Sequence, residues 1–388
     1  MSNNNKTPAI RFKGFTDTWE QRKLEEVITV GNGMDYKHLS EGDIPVYGTG
    51  GYMLSVDKAL SYDKDAIGIG RKGTIDKPYV LKAPFWTVDT LFYCIPKEDY
   101  SLDFVYCIFQ NVNWKEKDES TGVPSLSKVN INSTDVKVPT LAEQEKIGAY
   151  FAQLDNLITL HQRKYDKLTK VKKAMLQKMF PQNGANKPEI RFKGFTDAWE
   201  QRKFSDIAET RRGLTYKPNS IVDNGVRVLR SSNINEDTFV FGNDDVFVDE
   251  NAVNIPYIQN GDILITSANG SSRLVGKHAI IRNLPDNSAV HGGFMLIASS
   301  SNPEFLNASM SSQWYSEFVS LYVAGGNGAI GNLNKNDLDT QIVLVPSVAE
   351  QQQIGSYFRN LDNLITLHQR KCYKYKSIKA GLIRKLFP

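Results

Sequence analysis

Two segments of this chain occur twice, almost unchanged, and frame two long stretches that share little sequence. The segment PAIRFKGFTDTWEQRK at residues 8–23 returns as PEIRFKGFTDAWEQRK at residues 188–203. The segment AEQEKIGAYFAQLDNLITLHQRK at residues 142–164 returns as AEQQQIGSYFRNLDNLITLHQRK at residues 349–371. A duplicated frame with two divergent contents predicts two copies of one structural unit that present different surfaces.

The repeats divide the 388 residues into six segments, which is enough chain for two domains and their connections. Apolar residues make up 40% of the chain, so both domains can bury a core. The predicted segments are a first repeated segment (1–23), a first variable domain (24–138), a first long helix (139–181), a linker with the second repeated segment (182–203), a second variable domain (204–345) and a second long helix (346–388).

Both variable domains contain short apolar runs separated by Gly, Asn, Asp and Pro, such as AIGIG at 66–70 and GDILIT at 261–266. This pattern is typical of short strands joined by turns, and it predicts a mixed α/β (α+β) fold. A weak alignment of the two domains indicates one fold that has diverged. It matches Val27, Gly33, Tyr36 and Lys37 with Ile207, Gly213, Tyr216 and Lys217, and residues 120–131 with 326–338.

Apolar residues in the two long helices follow a heptad pattern, which predicts a left-handed coiled coil. Two copies of one unit associate most simply about a pseudo-twofold axis, so we expect the helices to run antiparallel. The alternative is two ordinary amphipathic helices on separate cores. The predicted seam residues are Ile147, Phe151, Leu154, Ile158 and His161 in the first helix, and Ile354, Phe358, Leu361, Ile365 and His368 in the second.

Polar residues also occupy seam positions. We interpret His161 and His368, near the middle of their seams, as fixing the register of the helix pair. Lys172 and Lys379 also fall on the seam, and we expect their ammonium groups to extend into solvent.

Three cysteines without a CxxC pair argue against a disulfide framework or a zinc site and favour a reducing compartment. The start of the chain, MSNNNKTPAIRFK, has no apolar run, and no stretch approaches the apolar length that a membrane span needs. These features predict a cytoplasmic protein.

The charge distribution differs between the frame and its contents. The first variable domain has 12 basic and 17 acidic side chains, and the second has 9 and 15, so both are net acidic, whereas the repeated segments are basic. Nucleic-acid binders usually carry basic surfaces. Any DNA contact in these domains is therefore expected to come from local clusters.

Several loops of both domains combine Gly with Arg, Lys, Ser, Asn or aromatic residues, and both domains place such loops after equivalent strands. Glycine lets a backbone approach a groove, Arg and Asn read base edges, and Ser, Thr and Lys bind phosphates. Taken alone, each loop is more often an ordinary surface turn. The candidate DNA-binding residues are Tyr47, Thr49, Tyr52, Arg71, Lys72, Thr74, Ser125 and Lys128 in the first domain, and Arg227, Arg230, Ser231, Asn233, Asn269, Ser271, Arg273, Asn327 and Asn332 in the second.

Signals for catalysis are weak. The GxGxxG pattern of GIGRKG at 68–73 lacks the following helix that a dinucleotide site needs, because Pro78 follows in a strand-like run. No GxxxxGK[ST] phosphate loop occurs, and NPEF at 302–305 only approaches the NPP[FY] tetrad of adenine methyltransferases. We predict no catalytic residue and no metal site in this chain.

The order variable domain, VP-x-x-AEQ-x-x-I, long heptad helix, repeated once, resembles the type I restriction-modification specificity subunits. The PxIRFKGF-x-D-x-WEQRK segment ahead of each variable domain is similar to their repeated conserved region. The resemblance covers nearly the whole chain. It implies a non-catalytic DNA-recognition subunit in which each variable domain reads one half of a bipartite, asymmetric target.

The resemblance also implies partners. Two methyltransferase subunits would bind the paired helices and carry S-adenosylmethionine, and restriction subunits would carry ATP and Mg²⁺. The helix pair would set the spacer between the half-sites, and the complex would methylate adenine N6 or cleave. Two other classes stay open: a stand-alone methyltransferase, which would have to bind S-adenosylmethionine itself, and a protein-interaction scaffold without DNA readout.

Overall fold

The computed structural model describes residues 8–323 and 332–387, so the candidate Asn327 lies outside the described residues. The chain divides into two compact units. The first unit comprises Met1–Arg163 and Gln369–Pro388, and the second comprises Lys164–His368. Both boundaries fall inside the long helices. Each unit therefore contains one variable domain and a part of each long helix.

The first unit is built from short strands with a few helices. Its strands are β1 (Glu20–Lys23), β2 (Ile28–Asn32), β3 (Glu41–Gly48), β4 (Gly51–Val56), β5 (Ala66–Gly70), β6 (Tyr79–Leu81), β7 (Trp86–Thr87), β8 (Leu91–Pro96) and β9 (Asp135–Val138). Its helices are α1 (Leu24–Val27), α2 (Leu102–Asn111), α3 (Lys128–Asn132) and the first part of α4 (Leu141–Lys178).

Three sheets organise the first unit. The antiparallel sheet β2-β8-β5-β6 has β5 near its centre, and every residue of β5 is buried, which explains its continuous apolar run AIGIG. The sheet β4-β3-β7 combines an antiparallel hairpin with a parallel β3–β7 pair. Strand β1 pairs antiparallel with β9.

The second unit has more and shorter strands. They are β10 (Glu200–Lys203), β11 (Glu209–Arg212), β12 (Ile221–Val222), β13 (Val226–Leu229), β14 (Ile234–Asn235), β15 (Thr238–Phe239), β16 (Val246–Val248), β17 (Ile263–Thr266), β18 (His278–Ile280), β19 (Ala289–His291), β20 (Met295–Ser299) and β21 (Ile342–Val345). Its helices are α5 (Pro303–Met310), α6 (Gln313–Val323), α7 (Lys335–Thr340) and the first part of α8 (Val348–Leu386).

The two units share one topology. The sheet β11-β20-β17-β18 repeats the order of β2-β8-β5-β6, and the parallel pair β13–β19 repeats β3–β7. Strand β10 pairs with β21 as β1 pairs with β9. The hairpin β14–β15 is an addition to the second unit. The prediction of one mixed α/β fold with two divergent copies is confirmed.

In the first unit, the repeated segment joins the domain to the start of α4. The Arg11 guanidinium binds both carboxylate oxygens of Glu143, at 2.8 Å from Nε to Oε1 and 2.5 Å from Nη2 to Oε2. The Glu143 side chain is 1% exposed. Trp19, also buried, packs edge-on against Phe104 of α2. The segment thus fixes where the domain meets the helix.

The second unit repeats this junction. Arg191 binds Glu350 of α8 through Nε at 2.8 Å and Nη2 at 2.7 Å, and Glu350 is also 1% exposed. Trp199 packs edge-on against Phe305 of α5. The amino acids that the sequence repeats are therefore those that make the same contacts twice.

Within the first unit, the beginning of α4 and the end of α8 run antiparallel. The Lys379 Nζ lies 2.6 Å from Asp155 Oδ1, and Cys372 Sγ lies 3.4 Å from Gln162 Oε1. Residue numbers fall along α8 as they rise along α4, which defines the direction. The ring of buried His161 stacks on Tyr375, with 5.6 Å between the ring centroids.

Within the second unit, the same pairing occurs with the roles of the helices exchanged. Lys172 Nζ of α4 lies 2.8 Å from Asp362 Oδ1 of α8. Asp362 and Lys379 occupy the positions of the repeat that Asp155 and Lys172 occupy in the first copy. In each unit the ion pair therefore joins the lysine of one helix copy to the aspartate of the other.

The expectation that these two lysines extend into solvent is wrong. Their side chains are only 15% and 12% exposed, for Lys172 and Lys379 respectively, and each ends on a carboxylate. Burial raises the pKa of Asp362 above its ordinary value, although Lys172 opposes the shift. Partly buried cations need a charged partner, and an aspartate of the other helix supplies it in each case.

The seam residues belong to the domain cores as well as to the helix pair. Ile147, Phe151 and Leu154 join the core of the first unit, and Ile354, Phe358 and Leu361 join that of the second. Burying a side chain of this size contributes about 1.5–3 kcal/mol. Helix pairing and packing on separate cores, posed as alternatives from the sequence, therefore occur together. Ile158, Ile365 and His368 are half-buried.

Each long helix also touches its domain through a glycine. A Cβ built on Gly148 of α4 would lie 2.8 Å from the Asp103 Cβ and 2.9 Å from the Phe104 backbone N of α2. The equivalent Gly355 of α8 meets the Glu304 Cβ at 2.9 Å and the Phe305 N at 2.8 Å. Only glycine allows this approach, because no real Cβ tolerates such distances.

The frame has a further hydrogen bond in each unit. The Ala9 N–H donates to Lys385 O in the last turns of α8, and the Ile190 N–H donates to Lys178 O at the end of α4. Helix ends leave carbonyl groups without partners inside the helix, and the repeated segments supply donors to them. Of the helices in the described part of the chain, none combines the length and apolar character that a bilayer span requires.

We predict that the junction is the most mutation-sensitive polar contact of each unit. Arg11→Met leaves the buried Glu143 carboxylate without its partner and should lower the free energy of unfolding by about 3–5 kcal/mol. Arg191→Met should do the same in the second unit. Denaturant unfolding measures both effects.

The matched control is Arg22→Met, since Arg22 pairs with Glu20 on the surface, where the side chains are 41% and 66% exposed. This change should cost less than about 1 kcal/mol. Equal effects for Arg11→Met and Arg22→Met would contradict the structural role of the buried pair.

Candidate nucleic-acid interface

The β3–β4 hairpin carries the aromatic candidates of the first domain. Tyr47 is half-buried and packs against Tyr52 and Tyr79, while Tyr52 is 63% exposed. The Tyr79 hydroxyl donates to Gly48 O at 2.6 Å and holds the turn that contains Thr49. The contacts of Tyr47 and Tyr79 therefore hold the hairpin in place, and Tyr52 is exposed on it.

A groove beside this domain's main sheet gathers the basic candidates. The loop after β5 pairs with the loop before α3: Leu126 N–H donates to Arg71 O, Gly73 N–H donates to Pro124 O, and Lys72 forms a bridge with Ser125. The first groove has a volume of about 520 Å³. It is lined by Asn32, Arg71, Lys72, Phe92, Ser125, Leu126, Ser127 and Lys128.

Backbone geometry explains the glycines of this loop. Gly73 has φ +84°, which side chains rarely adopt, and a Cβ on Gly70 would lie 2.1 Å from Thr74 O. Thr74 is half-buried behind the loop, whereas Arg71, Lys72 and Lys128 are exposed. The GxGxxG pattern thus forms a tight loop after a strand. In the described residues that follow this loop, the helix that a dinucleotide site needs is absent, because the next element is strand β6.

A neighbouring carboxylate orders the far side of the first groove. Asp118 accepts hydrogen bonds from the backbone N–H groups of Ser125 and Ser120 and from the Ser120 hydroxyl. These bonds lower the pKa of Asp118. The hydrogen bonds to the Asp118 carboxylate therefore stabilise the loop that contains Ser125 and precedes Lys128.

The second domain builds the same backbone with other side chains. Ser267 N–H and Ala268 N–H donate to Phe294 O, and Leu333 N–H donates to Ser267 O, as Arg71, Lys72 and Leu126 do around Thr90. Ala268 bridges Asn332 as Lys72 bridges Ser125. We call the positions of the second domain that correspond to the lining of the first groove the second groove, a name that rests on this correspondence. They are Arg212, Ser267, Ala268, Leu296, Asn332, Leu333, Asn334 and Lys335.

The loop after β17 presents the remaining candidates of the second domain. The Asn269 side chain donates to the Ser231 hydroxyl at 2.9 Å and accepts from the Ser271 N–H at 2.9 Å. These contacts bring Ser231, Asn269 and Ser271 together. Arg273 follows in the same loop and is exposed.

Three candidates of the second domain make contacts within the protein. Arg227 pairs with Asp245 and lies over the rings of Phe241 and Phe247, at 4.6 and 5.1 Å from their centroids. Asn233 is fully buried and donates to Val240 O and to Asp245.

The Arg230 Nη2 donates to Asp244 O at 2.6 Å and lies near the Asp244 carboxylate. Because the Asn233 side chain is fully buried and its amide group is hydrogen-bonded within the domain, it cannot contact a ligand. We therefore correct its assignment to a residue that positions the loop. Arg227 also serves this loop, because its charge is neutralised by a carboxylate that is 2% exposed.

The family model described as the type I restriction modification DNA specificity domain matches residues 16–170 and 196–374, which together are most of the chain. The chain belongs to this family. Each of the two matches contains one of the grooves and most of one long helix, so the type I specificity domain occurs twice here.

Named relatives come from archaea and bacteria. The type I restriction enzyme MjaVIII specificity subunit of Methanocaldococcus jannaschii is 22% identical over 291 residues, which are 70% of this chain and 65% of that protein. The EcoKI specificity subunit of Escherichia coli K12 is 25% identical over 247 residues, 60% of this chain and 51% of that protein. The matches thus span about half to two thirds of these relatives.

The fold is also that of a solved relative. The crystal structure of a type I restriction-modification S subunit from M. genitalium superposes with a TM-score of 0.71, covering 98% of this chain and 99% of that one at 14% identity. The agreement over nearly the whole length establishes a shared fold for this specificity-domain chain.

Two exposed residues near the second groove are not among the candidate DNA-binding residues named from the sequence. Phe294 is 74% exposed at the position that Thr90 occupies in the first domain. Arg212 ends β11, is exposed, and its Nη2 lies 3.5 Å from Asn334 Oδ1. The alignment of Gly33 with Gly213 places Arg212 at the position equivalent to Asn32. This alignment could have identified Arg212 as a candidate from the sequence.

Buried histidines distinguish the second domain. His291, in β19, is 1% exposed, and its Nε2 lies 3.1 Å from the Arg211 carbonyl oxygen. Burial lowers the pKa of His291 to about 4, and burial also lowers the pKa of His278. The matching position in the first domain is Thr87. Among the described residues, no cluster of His, Cys, Asp or Glu is arranged to hold a metal ion.

We predict that acid weakens the second unit through His291. Its folded-state pKa lies below the unfolded value near 6.5, so its contribution is complete above pH 6.5 and is lost as pH falls toward 4. Between pH 7 and 5 the loss should be about 2 kcal/mol. Denaturant unfolding at both pH values, with His291→Gln as the control, measures it. An equally steep pH dependence in the variant would refute this assignment.

Proposed function

We propose that this chain is the DNA-recognition subunit of a type I restriction-modification complex. Each variable domain reads one half of a bipartite, asymmetric DNA target, and the chain itself performs no catalysis. The observation that carries the proposal is that two grooves share one backbone framework but differ in their side chains. A subunit that must read two different half-sites needs this arrangement.

The groove chemistry supports DNA as the ligand. The first groove presents Arg71, Lys72 and Lys128 beside Ser125 and Ser127, which are side chains that bind phosphates and base edges. The second groove presents Arg212 with Asn332 and Asn334, and amides of this kind pair with adenine. Both domains are net acidic, so these local clusters have to provide the contacts.

We further propose that the long helices bind two methyltransferase subunits and set the spacer between the half-sites. The methyltransferase subunits would bring S-adenosylmethionine and methylate adenine N6 in both halves of the target. Restriction subunits would bring ATP and Mg²⁺ and cleave unmodified DNA. Support comes from the exposed apolar side chains at equivalent positions of the two helices, Leu160 and Leu367, which are 45% and 44% exposed. A cytoplasmic location follows from this role.

The test is to express the chain with its methyltransferase subunit in a host without DNA methylation and to map modified adenines by single-molecule sequencing. The expected result is one split motif with a methylated adenine in each half. A soluble complex that leaves the DNA unmodified and binds no DNA would refute the proposal. That result would favour a protein-interaction scaffold, the function that acidic domains would otherwise suit.

A domain exchange gives a second prediction. Replacing residues 204–345 with the equivalent domain of a related chain should change one half of the motif and leave the other half and the spacer intact. The exchange keeps Arg191, Glu350 and both helices, so the frame is preserved. The same adenine map measures the outcome, and a change in both halves would show that the domains do not read independently.

A further inference from the structure

Most arginines of the two variable domains are neutralised by the domains themselves. Residues 24–138 and 204–345 contain seven arginines. Four of these have carboxylate partners. They are Arg211 with Asp262, Arg227 with Asp245, Arg230 with Asp244 and Arg282 with Glu304.

Three arginines have no carboxylate partner within the described ranges, namely Arg71, Arg212 and Arg273. All three guanidinium groups belong to exposed residues. In domains with an excess of acidic groups, these three guanidinium groups stay available to an external anion or acceptor.

Strand register places Arg71 of the first domain and Arg212 of the second on opposite sides of the equivalent grooves of the two domains. Asn32 pairs with Phe92, and Arg212 pairs with Leu296, so Arg212 occupies the position of Asn32. Ile69 pairs with the same Phe92, and Ile265 pairs with the same Leu296. Counting two residues on, Arg71 therefore matches Ser267.

Each groove thus has an unpaired arginine on one wall and a small or amide side chain on the other. In the first groove Arg71 faces the side of Asn32, and both line the same cavity. In the second groove Arg212 reaches toward Asn334, which caps α7 as Ser127 caps α3. The contacts that Arg71 and Arg212 make within the protein are long, at 3.4 Å to Asp89 O and 3.5 Å to Asn334 Oδ1.

We propose that Arg212 contacts the DNA in the second half-site and that Arg71 does so in the first, each from the opposite wall of an equivalent groove. This inference rests on the proposed function and extends it to a residue of the second domain outside the predicted set. A guanidinium group binds either a phosphate or the O6 and N7 atoms of guanine, and both offer acceptor oxygens or nitrogens in a forked geometry. The two domains thus carry the arginine at different positions of one backbone framework.

The test uses the assembly of this chain with its methyltransferase subunit and a duplex that carries the motif found by adenine mapping. Arg212→Ala and Arg71→Ala are compared with Arg282→Ala, an arginine of the second domain that is paired with Glu304. Thermal melting of each variant checks folding, and fluorescence anisotropy at several salt concentrations measures binding. Adenine mapping then reports the motif of each assembly.

The expected result is a loss of affinity of about 5- to 150-fold for Arg212→Ala and for Arg71→Ala, with less than a twofold change for Arg282→Ala. If the contact is to guanine, the motif relaxes at one position, in different halves for the two variants. If it is to phosphate, the motif is kept and the salt slope falls by about one. Either pattern supports the proposal and identifies the contacted group.

Unchanged affinity and motif in a folded Arg212→Ala assembly would overturn the inference while leaving the proposed function intact. Failure of the proposed function itself looks different, since the wild-type assembly would then have no bipartite motif. An equal loss in Arg282→Ala would also overturn the inference, because it would show a general effect of removing positive charge.

Discussion

A buried ion pair holds each domain at the start of a long helix, and the rest of each unit depends on it. Arg11 with Glu143, and Arg191 with Glu350, bring the repeated segment, the last strand of the domain and the first helical turn to one place. Because these charges are buried, either partner alone would be strongly unfavourable. The domain therefore enters and leaves its frame at a fixed point, whatever lies between.

This constraint explains how two domains can differ so much and still fold alike. The contacts that anchor a domain lie in its flanking repeats and at buried strand positions, whereas the grooves sit on loops at strand ends. Loops tolerate substitution because few buried contacts depend on them. The same backbone hydrogen bonds around Thr90 and Phe294 therefore support Arg71 in one domain and Ser267 in the other.

Periodicity and duplication made the architecture predictable. The side-chain partners in ion pairs and hydrogen bonds could not be predicted in the same way. A heptad repeat constrains which face of a helix is buried, so the seam through Ile147 and Phe151 could be derived from spacing alone. Whether the side chains of Lys172, Arg227 and Asn233 face solvent or the protein depends on their contacts with Asp362 and Asp245. The spacing of residues in the sequence does not reveal these contacts. Short polar loops such as RVLRSSN look the same whether their side chains point outward or brace a fold.

The glycine contacts at Gly148 and Gly355 have a mechanical consequence. Where two helices touch through a side chain, they can slide or roll by changing its rotamer. Here the backbone of α4 lies directly on α2, and that of α8 on α5, with no rotamer to adjust. Each domain and the segment of helix in contact with it should therefore move as one rigid body. Any bending within a unit has to occur in the loops or along the helices beyond these contacts.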